Sequence, residues 1–193
     1  MGTWFAGSKS MDVTIHERLL SFSAEYDINA PGLEMYARKA IFSLTGKIEL
    51  SRVNGPLVAT LEGQFSPIRH RWNFHFDDGR NYSYSCEKVW KGTYVWEGGA
   101  SESYHLYQHH ELLFSIFRND SQIAAFTKNR VVIGSGNRYD IRMNGDADVS
   151  VVVSMILALN TSDGDDKNQN TVTFDLGNVG PEDRKFDESW EPT

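Results

Sequence analysis

Eleven residues near the end of the chain, Val149 to Leu159, are apolar apart from Ser150 and Ser154. The run outlasts the ~5–6 residues of an ordinary strand, and Met155, Ile156, Leu157, Ala158 and Leu159 are good or acceptable helix formers. A helix is therefore expected over 148–160. β-branched residues dominate the first half, so a buried strand is the rival reading. Asp146 or Asp148 stands where a side chain caps a helix and complements its dipole. At ~1.5 Å per residue the run reaches roughly half a bilayer, too short for a membrane span. A helix without a polar face has to be enclosed on every side. Whatever precedes it must build a container.

The residues from Asp12 to about Arg142 supply one. In Arg71–Asp77, Trp72, Phe74 and Phe76 alternate with Asn73 and His75, the period of a half-buried strand. Asp78-Gly79 follows as a hairpin signal, and Asn81–Val89 alternates again. Similar runs are FSAEYDI, LEMYARKAI, GKIELSR, LVATLEGQF, TYVWE, SYHLYQHHELLFSIF, QIAAFTKN, RVVIG and RYDIRM. Pro31-Gly32, Asn54-Gly55, Asn119-Asp120 and Asn144-Gly145 separate several of them. So many short strands without helices between them predict an antiparallel barrel or sandwich. The chain divides into a leader (1–11), the strands and helix (12–162), and a tail (163–193) with one candidate edge strand at 171–176.

The segment LEMYARKAIFSLTGKIELSRVNGPLVATLEGQF resembles the LURP-one-related family, which shares the tubby C-terminal-like fold. Met35, Arg38, Lys39, Ser43, Leu44 and the Asn54-Gly55 turn occupy the places of that family's apolar–x–x–basic–basic strand, Ser-Leu step and following hairpin. Asn119-Asp120, Ala124, Lys128, Tyr139, Asp148 and the apolar run are similar to its closing pattern. The resemblance covers roughly Asp12 to Asn160. It implies a closed, mainly β barrel of about twelve antiparallel strands around one central apolar α-helix. Members include tubby proteins, which bind phosphoinositides, and the similar phospholipid scramblases. This chain lacks the scramblases' proline-rich leader and cysteine cluster. Fold membership transfers architecture more safely than activity.

Charge narrows the partners. The net charge is −7, but residues 163–193 hold nine acidic and three basic residues, leaving 17 acidic and 16 basic in the remainder. A near-neutral body has no broad basic face, so nucleic acid is not an expected partner. A small anionic-lipid site remains open to it. Arg38 and Lys39 lie on one strand, and Arg69 and Arg71 share a side of another. If those sides converge, they could hold a phosphate headgroup by charge-assisted bonds; the bland alternative is a solvated exterior. The tail, acidic and poor in aliphatics, is expected to be solvated. The N-terminus lacks the apolar stretch of a secretory signal. A cytoplasmic place is expected, peripheral at the membrane if lipid is bound.

No catalytic set stands out, and neither a cofactor nor a metal is expected. On a strand His105 and His109 are about 13 Å apart, and His109 and His110 point to opposite faces, so neither pair suits one ion. Asp163, Asp165 and Asp166 depart from a calcium loop at Lys167 and Asn168. An enzyme would require His75, His105 or Cys86, the one cysteine, to meet a carboxylate in a cleft. The leading expectation is a non-enzymatic binding or scaffold module for anionic lipid or protein. A small-molecule-binding barrel with an internal cavity is second, and an enzyme third.

Overall fold

A computed structural model gives the structure of the protein and describes residues 10–20, 23–40, 46–64, 71–88, 93–98, 102–109, 112–130, 136–165 and 184–193. Twelve strands and one helix follow in order: β1 (Ser10–Leu19), β2 (Ser23–Ala30), β3 (Leu33–Ala40), β4 (Lys47–Arg52), β5 (Leu57–Gln64), β6 (Arg71–Phe76), β7 (Asn81–Lys88), β8 (Thr93–Glu97), β9 (Ser103–Gln108), β10 (Leu113–Arg118), β11 (Ser121–Arg130), β12 (Asn137–Asn144) and α1 (Val149–Asp165). Each strand pairs antiparallel with its chain neighbours, and β1 closes the barrel on β12. Closure leaves no strand edge exposed to another chain.

Local chemistry makes the turns. Asn119 and Asp120 both take positive φ (47° and 68°) between β10 and β11, the conformation that a two-residue type I′ hairpin requires and that Asn and Asp tolerate. In the β6–β7 turn only Gly79 takes positive φ, at 87°, and the Phe76 amide donates to the Arg80 carbonyl at 2.9 Å, a longer turn than the two-residue one expected from Asp78-Gly79. The alternation also emerges as expected: Trp72, Phe74 and Phe76 are buried, while Arg71 and His75 are exposed.

Val151 to Leu159 are at most 1 % exposed, and their apolar members belong to one cluster with the buried faces of the strands. Phe74 stacks on Trp96 with ring centroids 3.8 Å apart, and Tyr84 meets both edge-on. The strands β1–β4 contribute chiefly aliphatic side chains to the same cluster, among them Ile15, Ile28, Met35 and Leu50.

Several expectations need adjustment. The run SYHLYQHHELLFSIF is two strands, β9 and β10. Its turn carries no Gly or Pro, because Leu112 itself takes φ 61° and the His109 amide donates to the Leu113 carbonyl at 2.8 Å. The helix starts at Val149 and continues to Asp165, past the expected end at 160. The first strand begins before the expected Asp12, since Ser10 and Met11 already pair with β12. β1 alternates cleanly but buries a charged residue, Glu17, on the same face as Val13 and Ile15. Ser43, Leu44, the edge strand at 171–176 and most of the RVVIG run lie outside the described residues.

Candidate functional site

Among the four basic residues expected to form a headgroup site, Arg38 and Arg71 are exposed, and Arg69 lies outside the described residues. Arg38 is directly opposite Glu25 on β2 and Glu49 on β4. Arg18 on β1 bonds Glu25 at 3.4 Å and Asp27 at 2.9 Å. The outer wall of β1–β4 is thus a ladder of alternating charge. Burial, then a hydrogen bond to Glu25 and that carboxylate's charge, push the Tyr36 hydroxyl up to about 12. Lys39 has the strand parity of buried Met35 and Ala37 and so faces away from Arg38. Arg71 stands on β6, three strand spacings or about 14 Å from β3. The described residues do not bring these side chains to one point.

The candidate acid–base groups are also dispersed. His75 on β6 pairs its Nδ1 with Asn81 Oδ1 at 2.6 Å on the exposed surface. His105 lies on β9, stacked beside Tyr107. Cys86 has its backbone in β7 opposite Tyr94, but its side chain, like His110 and Glu111, lies outside the described set. His109 is buried, with Nε2 2.7 Å from Ser115 Oγ. Among the described residues no three His, Cys, Asp or Glu side chains gather closely enough to hold a metal ion.

Two polar assemblies hold the helix. At its start, Asp148 Oδ1 accepts from the Ser150 and Val151 amides at 2.8 and 3.3 Å, the expected cap. Its Oδ2 pairs with Arg80 at 2.8 Å, and Arg80 also bonds Asp78 at 2.7 Å. Burial alone would lower the Arg80 pKa, but the hydrogen bonds to Asp148 and Asp78 reverse that and raise it.

At the far side of the apolar run, the buried Glu17 carboxylate accepts from Tyr26 Oη (3.3 Å), Asn160 Nδ2 (2.7 Å), the Asn137 amide (2.9 Å) and Asn137 Nδ2 (2.6 Å). Gly136 permits this packing, because a Cβ there would lie 2.5 Å from Glu17 Cγ and 2.7 Å from its carbonyl oxygen. Sequence reasoning missed this network. Its signal was Glu17 standing at a core position of an otherwise alternating strand.

The second missed feature is on the outer wall of β9–β12 and β1. Residues 184–193 return to it, against the expectation of a solvated tail. Arg184 lies 4.0 Å over the Phe117 ring and 5.7 Å from that of Tyr107. Phe186 packs on His109, Glu191 pairs with Arg142 at 2.7 Å, and Thr193 exchanges hydrogen bonds with Asn144 and Gly145. The tail docks because its few large side chains find ring partners and its charges find opposite ones, neither visible from composition. Between this segment and the wall runs a groove of about 480 Å³, with Phe186 and Trp190 on one side and Thr14, Thr127 and Leu113 on the other. Asp12, Asp187 and Glu188 also line it.

Comparison with protein-family models, curated proteins and solved structures finds no match.

Proposed function

We propose that this protein is a non-enzymatic binding module of the tubby-like type, its apolar helix running through the barrel as a central plug and its partner, an anionic membrane lipid or another protein, recognised on the outside. The observation that carries this reading is the burial of Val151–Leu159 in one cluster with the buried strand faces. A barrel filled by side chains has no room for a drug-sized ligand, which speaks against the small-molecule reading. The separation of His75 from His105, on β6 and β9, speaks against the enzyme reading.

Within the lipid arm, weight moves from Arg38 to Arg69 and Arg71. The carboxylates of Glu25 and Glu49 beside Arg38 would repel a headgroup, whereas Arg71 has Gln64 and Ser85 as its strand neighbours. No helix among the described residues is long and apolar enough to cross a membrane.

Vesicle sedimentation tests this arm. The full chain should co-sediment with phosphoinositide-containing vesicles at low salt and not with neutral ones, and the Arg69→Ala/Arg71→Ala variant should lose most of that binding. Equal sedimentation of wild type and variant, or none with anionic vesicles, would remove lipid and leave the protein partner.

A further inference from the structure

The groove between the barrel wall and residues 184–193 combines two chemistries that suit one kind of group. One side is aromatic, from Phe186 and Trp190; carboxylates of Asp12, Asp140, Asp187 and Glu188 are distributed around it, against one cation, Arg142. Internal pairing removes part of that charge. Asp140 is bonded by Arg138 at 2.8 Å and by Asn129 at 2.8 Å, and Arg142 is held by Glu191 at 2.7 Å. What is left facing the groove is a surplus of negative charge.

Asp187 accepts from the Ser189 hydroxyl and amide at 2.6 and 2.9 Å, bonds that lower its pKa and keep it ionised. Asp12 and Glu188 are exposed. Aromatic faces attract cations, and carboxylates bind guanidinium and ammonium groups by charge-assisted hydrogen bonds. Thr14, Thr127 and Leu113 offer a wall of small and apolar atoms for an alkyl stem. The same face already takes one such group from the chain itself, since the Arg184 guanidinium lies 4.0 Å over Phe117.

We propose that this groove is a docking site for a basic side chain, arginine or lysine, presented by an extended segment of a partner protein. The stem lies along Leu113 and the threonines, the head between Trp190 and the carboxylates of Asp12 and Glu188. The site is independent of the headgroup reading: it lies on β12 and its neighbours, half the barrel away from Arg71 on β6, and it selects the opposite charge.

The test follows the indole N–H resonance of Trp190 in the full-length protein, assigned by its absence from the Trp190→Phe spectrum. The peptide acetyl-Ala-Ala-Arg-Ala-Ala-amide should shift it saturably. The same peptide with citrulline, which has nearly the shape of arginine without its charge, should bind at least tenfold more weakly. Asp12→Asn/Glu188→Gln, two exposed positions, should weaken the arginine peptide at least fivefold while leaving the rest of the spectrum in place. No shift with the arginine peptide, equal binding of the citrulline peptide, or affinity within twofold of wild type in the double variant would each overturn the proposal. Butylguanidinium binding as tightly as the peptide would overturn the partner-protein assignment and make the groove a small-cation site. Failure of vesicle binding bears on none of these outcomes.

Discussion

Asp148 and Asn160 stand at the two ends of one buried apolar run and are held by opposite strategies. Asp148 caps the first turn with its own side chain and reaches Arg80 across partly exposed surface, with 35 % and 37 % side-chain exposure. Asn160 is buried and bonds a buried carboxylate, Glu17, that is 143 residues away in the chain. One end relies on a local hydrogen bond and a solvent-screened ion pair. The other relies on a largely buried network in which one carboxylate accepts several hydrogen bonds. Exposed pairs contribute little, whereas a buried polar group left without its partner costs its full desolvation. The two ends should therefore respond very differently to single changes.

The largest effect is expected at Glu17. Glu17→Gln keeps the shape but replaces one acceptor oxygen by an NH2 donor, which then faces the donors of Asn137 or Asn160. A loss of about 3 kcal/mol in unfolding free energy is expected, the size of a buried donor left unsatisfied beside a lost charge-assisted bond. Urea denaturation measures it, and a loss below 1 kcal/mol would show that the far network is as replaceable as the near one.

Asp148→Ala removes the cap and one partner of Arg80. About 1 kcal/mol is expected, the usual worth of an N-cap, and the same titration compares it directly with Glu17→Gln. If the order of the two were reversed, the contrast between buried and exposed ends would fail.

The smallest effect is one of pH. The Arg80 amide's hydrogen bond to Asp78 leads the causes that hold that carboxyl below its ordinary range, assisted by the Arg80 guanidinium. A carboxyl depressed in the folded state stabilises it above its unfolded pKa, near 3.8, and that contribution is lost as pH falls through the folded value. The difference in melting temperature between wild type and Asp78→Asn should be present at pH 6 and shrink as pH falls below the ordinary carboxyl value of 3.8. A gap that stays constant over that range would detach Asp78 from this end of the helix.

The same contrast explains what could be read in advance. Trp72, Phe74 and Phe76 alternate with polar residues, and Asp78-Gly79 marks the turn, because a strand face and a tight turn are set by residues close in sequence. A cap at Asp146 or Asp148 was visible for the same reason, and the structure selects Asp148, which lies within three residues of the amides it serves. Leu112 was not, since a left-handed leucine carries no local signature and β9 and β10 consequently merged into one run. Lys39 and Arg38 could be assigned to opposite faces by parity. Whether Arg71 would approach either depended on the number of strands between them.

The sequence by itself determined the strand alternation, several hairpin turns and one apolar run that needed enclosure, because these follow from periods of two to four residues and from the cost of leaving Val149–Leu159 in water; barrel or sandwich, and helix or strand for that run, stayed open. Only the tertiary structure decided that Glu17 would meet Asn137 and Asn160, that Arg38 would sit between two carboxylates, and that the acidic tail would return to cover Phe117 and border a groove. Those meetings join residues up to 143 positions apart, and barrel closure fixes which strands lie side by side. A one-dimensional pattern records which face a side chain takes but not what stands opposite it.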